Sequence, residues 1–402
     1  MRILVVHWHA TVIGGTEKYL RSTIRALVRR GHEVALLHGY EPDPASARIA
    51  LPPDKQPSWC IETLGIREAL RAVAAWSPSS VYVNSWQSPS VERVLLEEYP
   101  CALFVHDYHR TCPTGTKCQS FPDTRACSRQ AGPACIGFHY PLRCGGLNPL
   151  TMLRDYRRQS DQLRFLPHYQ AILVASRHMR AELVNHGVSS DRLRLAPLFP
   201  PEISPDATPP ESRPIRGNLL LVSRLVNLKG ADFLIKALSA AESKLGRRLH
   251  LTIAGNGPDE IRLRQLAASL AVDVQFEGWL DQSRIATLMR DSDLLVFPSV
   301  WPEPFGLAGI EAGCVGLPAV GFDVGGVSEW LKPGYSGELA PGDPPTVESL
   351  GDALVRALCD PDHHTDLRRG AWETAKQFSI AAHIDTLDNA LEGIRHGHPV
   401  FN

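Results

Sequence analysis

A chain of 402 residues with 44% apolar and 21% charged residues is long enough for two buried cores and too apolar for a disordered protein. Lys plus Arg total 42 against 43 Asp plus Glu, which excludes a polycationic nucleic-acid binder and an acidic tail. The opening run ILVVH is too short for a signal peptide, and no later segment reaches about 18 uninterrupted apolar residues. The expectation is a cytoplasmic protein whose membrane contact is at most peripheral.

Along the chain, strand and helix patterns alternate. Arg2–His7 reads as a buried strand, and 16–30 carries apolar residues at helical spacing up to Gly31. Short strands follow at 33–38, 80–84, 102–106 and 171–175, separated by helical patterns at 66–76, 89–98, 150–166 and 177–186. Such alternation predicts a parallel sheet covered on both faces. The rhythm breaks at 199–218, which holds six prolines and reads as a linker. It restarts with strands near 218–223, 249–254, 273–277, 293–297 and 318–321 and helices near 230–245, 258–270, 281–290 and 306–316.

The predicted fold is therefore α/β, with two doubly wound Rossmann-like domains facing a central cleft. Residues 1–200 form the first domain, with a cysteine-rich insertion at 110–147; 201–217 form the linker and 218–378 the second domain. Periodicity leaves open whether the helix in 379–402 completes the second domain or crosses back to the first. Ligands of such sheets bind outside the carboxyl ends of the strands.

Local charge is less even. Between Arg154 and Arg194 there are eight arginines and no lysine against four acids, which reads as a solvated face or as one meeting an anionic acceptor or membrane.

Several motifs fall at strand ends. Gly14-Gly15 opens the first helix, where free backbone N–H groups suit an anion, although the G-x-G-x-x-G dinucleotide fingerprint is missing. VSRLVNLKG sets Arg224 and Lys229 after the first strand of the second domain, where they can neutralise a diphosphate without a metal. AGNGP and FEGWL end two further strands. WPEPFGLAGIEAG then sets Glu303 just ahead of a helix and Glu311 inside it, roughly 10 Å apart along the axis. A retaining glycosidase needs its two carboxyl groups about 5–5.5 Å apart across the scissile bond. These glutamates read instead as hydroxyl acceptors on one side of a ligand.

Gly14-Gly15, Ser223–Gly230, AGNGP, the Glu303/Glu311 pair and GFDVGGVSEW together resemble the retaining, nucleotide-sugar-dependent glycosyltransferases of family 4 (group 1), with the GT-B fold. The resemblance covers nearly the whole chain. It implies a transferase moving a sugar from a nucleotide-diphosphate donor to a hydroxyl acceptor that is glycan, lipid-linked or small; the local arginines suggest an anionic or lipid-linked one, and the charge balance no nucleic-acid partner. It implies donor binding by Gly14, Gly15, Arg224, Lys229, Glu303, the backbone of Phe305, Gly306 and Leu307, and Glu311, which would hold the ribose. His106, at the end of a strand in FVHDYHRTCP, would face the donor sugar; His106, Arg224, Lys229 and Glu303 form the expected catalytic set, and no catalytic metal is expected. The rivals are a GT-B epimerase or phosphorylase and a non-catalytic sugar-nucleotide or metal-binding scaffold. A Rossmann dehydrogenase is opposed by the missing glycine fingerprint.

Five of the nine cysteines, Cys112, Cys118, Cys127, Cys135 and Cys144, crowd into 33 residues, with His139 among them and His109 just ahead. A long irregular loop needs fastening, and in a reducing compartment a structural zinc is the natural fastener. The spacings lack C-x2-C, so an iron–sulfur cluster, disulfides and free thiols stay open.

Overall fold

The computed structural model describes residues 1–41, 47–50 and 56–395. Two compact units divide the chain: Met1–Lys117, Ser128–Pro201 and Ser379–Asn402 in the first, and Cys118–Cys127 with Glu202–Phe378 in the second. Of the C-terminal segment, 396–402 lie outside the described residues. Among the described residues no helix is long and apolar enough to cross a membrane.

In the first unit, Ile3, Leu4, Val5 and Val6 are all fully buried, which an extended chain achieves only when both sheet faces are covered. The seven strands are β1 (Arg2–His9), β2 (Glu33–Tyr40), β3 (Ser58–Cys60), β4 (Ser80–Val83), β5 (Cys101–Val105), β6 (Ala171–Val174) and β7 (Leu193–Leu195). They lie in the order β3-β2-β1-β4-β5-β6-β7, each pair parallel. The order turns back between β1 and β4, so the carboxyl ends there leave a crevice.

The C-terminal helix Ile380–Ile394 completes this unit. Ser379 caps it by accepting the Ala382 N–H, and His383 lies against Tyr19, with Tyr19 Oη 2.8 Å from its Nε2. Arg30 pairs with Asp385 and Asp388 on the same helix. Of the two placements periodicity left open, the helix packs within the first unit.

The second unit repeats the plan with β8 (Asn218–Val222), β9 (His250–Ala254), β10 (Asp273–Gly278), β11 (Leu294–Phe297), β12 (Ala319–Phe322) and β13 (Gly337–Ala340) in the order β10-β9-β8-β11-β12-β13, all parallel. The turning point lies between β8 and β11, where Leu219 pairs with Leu294 and Leu220 with Leu295. The helix Val347–Leu358, capped by Thr346 and packed on the helix Ala231–Leu245, was not among the predicted elements.

Two expectations change. The proline-rich stretch has no regular structure, yet beyond Pro201 it is strapped to the second unit. Asp206 takes both guanidinium nitrogens of Arg290 and receives the Trp372 indole N–H on its carbonyl, while Pro210 packs on Gly316. The insertion, expected whole in the first domain, is divided: 118–127 belong to the second unit, where Cys118 Sγ lies 3.9 Å from the Val300 carbonyl. The physical reason in both cases is the same, since neither proline-rich nor cysteine-rich composition specifies which distant backbone a coil will bond.

Candidate active site

The second unit gathers its expected site residues around the β8/β11 turning point. Behind β8, the turn bearing Arg224 is knitted to the AGNGP turn: Leu225 N–H donates to Asn256 O at 2.8 Å, and Ser223 N–H to Ala254 O at 3.2 Å. Gly255 N–H bonds in turn to Gly278 O of FEGWL at 2.7 Å. Arg224 projects from this rigid platform as an exposed side chain.

Lys229 lies five residues on, and Gly230 behind it has φ +68, with Pro298 O only 1.8 Å from where a Cβ would stand. Any side chain there would displace the strand end that carries the next part of the site. That part is Ser299–Glu303. Glu303 Oε1 accepts from Lys229 Nζ at 2.5 Å and from Ser299 Oγ at 2.7 Å, and the carboxylate is nearly buried. Lys229 also stands over the Trp301 ring, 5.1 Å from its centroid. The sequence reading assigned Lys229 and Glu303 to different ends of a donor; in the structure they are one hydrogen-bonded pair.

The backbone of Glu303 is fixed by the loop after β12. Gly326 N–H donates to Glu303 O at 2.6 Å, and Gly325, at φ +59, packs so close that a Cβ would sit 2.3 Å from the same oxygen. Trp330 donates its indole N–H to Phe305 O at 2.7 Å and lies flat against Gly309. Gly306 then caps the helix Leu307–Cys314 in the left-handed region. Its first turn leaves the N–H groups near Leu307 without helical partners, an anion- or hydroxyl-directed feature. Glu311 is a half-buried residue on this helix. The arrangement can hold a polyhydroxyl group at Glu303 and an anion at Lys229 and Arg224.

The first unit carries a separate cavity of about 170 Å³ at the carboxyl ends of β1, β4 and β5. His7, His9, Glu17, Trp86, His106 and Arg158 are among the residues lining it. His106 Nε2 is 2.9 Å from Asn84 Oδ1; since that oxygen only accepts, Nε2 carries the proton and Nδ1 keeps its lone pair. Burial, then the nearby His7, pushes the His106 pKa down to about 3, so the ring is neutral near pH 7. It can orient or polarise a hydroxyl but does not serve as a cationic acid.

Gly14, expected at a phosphate, donates its N–H to Glu17 Oε2 at 2.8 Å, which leaves Gly15 as the exposed glycine of the pair. Glu17 Oε1 is also 3.1 Å from His7 Nε2. Burial alone would raise the Glu17 pKa, but the His7 hydrogen bond and charge and the backbone N–H of Gly14 outweigh it and hold Glu17 below its ordinary value. Sequence reasoning missed this buried His7–Glu17 pair. Its signal was the histidine at the strand end in VVHWH together with the third residue after Gly14. Arg110 reaches the cavity too, yet its charge is answered by Glu92 at 2.7 Å. Arg158, half-buried and 3.4 Å from Asp155, is the cavity's accessible cation.

The insertion does not fit a zinc site. Among the described residues no three His, Cys, Asp or Glu side chains group to hold a metal ion. Cys118 and Cys127 belong to the second unit, whereas Cys112, Cys135 and Cys144 belong to the first. Cys112 Sγ meets Thr114 Oγ1 at 3.3 Å, Cys118 donates to Arg125 O at 3.1 Å, and Cys144 to Phe138 O at 3.8 Å. His139 is engaged by Gly146 O at 2.8 Å. The fastening comes from elsewhere: Lys117 Nζ sits 2.7 Å from Glu182 with both side chains buried, and it donates to Arg129 O at 2.5 Å. Ala131 N–H bonds to His186 Nε2 at 2.9 Å. A buried ion pair does the work that the cysteines were expected to do.

Two doubly wound units, the second with its polar cluster at the turning point, define the GT-B class of fold. Solved structures agree across nearly the whole chain. A sucrose-phosphate synthase from Thermosynechococcus elongatus superposes with a TM-score of 0.71 over 98% of both chains at 20% identity. The Anabaena protein HepE, solved with UDP and glucose, gives 0.69 over 98% of this chain and 100% of its own at 16% identity. The model for glycosyl transferases group 1 matches residues 210–374, and the model for glycosyltransferase family 4 matches 13–199. The chain belongs to the group 1 glycosyltransferases of family 4.

Among individual relatives, D-inositol 3-phosphate glycosyltransferase 2 of Catenulispora acidiphila is 33% identical over 54% of this chain and 52% of its own length. D-inositol 3-phosphate glycosyltransferase 1 of the same organism is 34% identical over 45% of this chain and 46% of its own. The chain thus spans about half the length of these curated relatives.

Proposed function

We propose that the protein transfers a sugar from a nucleotide-diphosphate sugar to a hydroxyl acceptor with retention of configuration, and without a catalytic metal. The observation that carries this reading is the Lys229–Glu303 pair at the β8/β11 turning point, with Ser299 on the same carboxylate. In a sugar diphosphate the anomeric carbon and the phosphate share one oxygen. A hydroxyl-binding carboxylate in contact with a phosphate-binding ammonium is the local match to that chemistry. Arg224 adds the second cation, Glu311 takes the ribose hydroxyls, and the N–H groups of Phe305, Gly306 and Leu307 face the sugar or phosphate. HepE, of the same fold, is described as bound to UDP and glucose, which supports a nucleotide-sugar donor of that kind.

In the step proposed, the bond from the anomeric carbon to the diphosphate oxygen breaks and the acceptor oxygen bonds to the same carbon on the same face. The acceptor's proton passes to the departing diphosphate, whose charge Arg224 and Lys229 hold. No carboxylate base is required. In the first unit, the neutral His106 ring, with Nδ1 free of the proton, suits a sugar hydroxyl, the role the family resemblance implies for it. The acceptor enters the cavity lined by His7, His9 and Arg158, and the arginine suits an acceptor bearing phosphate. The names of the D-inositol 3-phosphate relatives point the same way.

The test is a thermal-stabilisation screen with UDP, GDP, ADP and TDP and their sugars, followed by product analysis with the best donor. A new glycoside supports transfer. An epimerised donor or a free sugar 1-phosphate would reassign the chain to an epimerase or a phosphorylase.

A further inference from the structure

The sequence placed a basic face across Arg154–Arg194, but the structure disperses it. Arg158 lies 3.4 Å from Asp155, and Arg192 and Arg194 donate to the carbonyls of Pro167 and Asp191. The eight arginines are divided among the helix Pro149–Phe165, the helix Arg177–Asn185, the turn at Arg192 and β7. A different surface stands out.

From Ile136 to Leu153, six large apolar side chains are exposed: Ile136, Phe138, Tyr140, Leu147, Leu150 and Leu153. Leu147 and Leu150 are 81% and 77% exposed, as open as side chains at a protruding tip. They come from the short helix Ala134–Phe138, the loop after it and the start of the helix Pro149–Phe165, and the two helices touch. Leu150 and Leu153 are one turn apart, so they share a helix face, and Arg154 and Arg157 continue the stripe. A monomer rarely leaves so many neighbouring apolar side chains in water without a use for them.

Charge selects the occupant. Between Ser128 and Arg154 the first unit carries Arg129, Arg143 and Arg154 and neither Asp nor Glu, and the next residue, Asp155, lies 3.5 Å from Arg154. Arg129 stacks over Phe138, 4.5 Å from its ring centroid, so cation and apolar side chain are presented together. Protruding apolar side chains interleaved with arginines, in excess over the one neighbouring acid Asp155, match acyl chains beneath a layer of anionic headgroups. We propose that this face, on the insertion and the first turns of the helix Pro149–Phe165, docks the protein on an anionic lipid bilayer. The inference goes beyond the transfer reaction and is tested without any donor.

The full chain is sedimented with vesicles of phosphatidylcholine alone and of phosphatidylcholine mixed with phosphatidylglycerol. Binding is expected to the mixed vesicles only, and to fall as salt shortens the Debye length toward ~3 Å at about 1 M. The Arg143→Ser/Arg154→Ser variant is expected to lower partitioning about 30-fold, at the usual worth of two arginines near such a surface. Leu147→Ser/Leu150→Ser is expected to lower it at least ~10-fold through lost apolar burial. Arg25→Ser, on the helix Gly15–Arg29, is the control and retains wild-type binding. Should the leucine pair lower the thermal midpoint, the arginine pair and the salt series carry the test.

No binding to mixed vesicles, equal binding to neutral ones, or binding that survives both double variants would overturn the proposal. So would light scattering that shows a dimer dissolved by the leucine pair, which would assign the face to a second copy of the chain.

Discussion

Lys229 with Ser299–Glu311 and the insertion at 110–147 are both irregular stretches following a strand, yet they are held in opposite ways. The first is marked by residue types in its own motifs: prolines that keep it extended, Gly230 and Gly325, which admit the backbone of Pro298 and Glu303, and a helix start at Gly306. The second is fixed from a distance, by Lys117 reaching Glu182 and Ala131 reaching His186. A segment built on local geometry announces itself through residue types at fixed spacing. A segment built on one long-range ion pair does not.

Substitutions can break that comparison. The largest effect is expected at Lys229: Lys229→Ala should lower kcat/KM with the preferred nucleotide sugar by about 10²–10³, the usual scale for a charge stabiliser of a leaving group. A loss below about tenfold would remove it from the leaving group. In the insertion, Lys117→Met leaves Glu182 buried without its ammonium, and a loss of about 3–5 kcal/mol in denaturant unfolding is expected. Alanine at Cys112, Cys135 or Cys144 should cost far less than that, which sharpens the contrast between ion pair and cysteines.

The pH response is the next step down. Burial lowers the pKa of His38 and of His383 to about 4, while the unfolded rings titrate near 6.5. Because the folded values are depressed, the unfolded chain binds more protons between those limits. Stability is therefore complete above pH 6.5 and declines as pH falls toward 4, by at most about 3 kcal/mol for each ring. The Glu17 carboxylate, also depressed, adds a further loss below its ordinary range. His38→Leu should flatten the slope between pH 6.5 and 4 in urea melts, since it removes one of the two depressed rings.

The smallest effect is that of chelation. With no grouped donors among the described residues, EDTA should leave the thermal midpoint unchanged. A drop of several degrees would show that the cysteines gather around a metal after all.

Much of this architecture could be read from the chain. Buried runs such as ILVV and LLLV, and helices ending at Gly31 and Gly246, mark elements whose hydrophobic period and caps are local. β3, β7 and β13 escaped because strands of three or four residues on or near a sheet edge carry too few side chains for a period. The helix Val347–Leu358 had its signal in Thr346 and the spacing of Leu350, Leu354 and Leu358, and it was overlooked. In the site, Arg224, Lys229, Glu303 and Glu311 were legible through glycine and proline punctuation. The contact of Lys229 with Glu303 was not, since 74 residues separate them and only the β8–β11 pairing brings their strand ends together. His7 with Glu17 was hidden differently: each looks like part of an ordinary strand or helix until burial makes them partners.

The central claim is that the glutamates hold the donor while the departing diphosphate receives the acceptor's proton. It is tested most directly by the anomeric configuration of the product at early times, read by proton NMR with the preferred nucleotide sugar. The account predicts the configuration of the donor, both for the wild type and for the residual turnover of Glu303→Gln. An inverted product would contradict it, because inversion demands a base on the opposite face of the sugar.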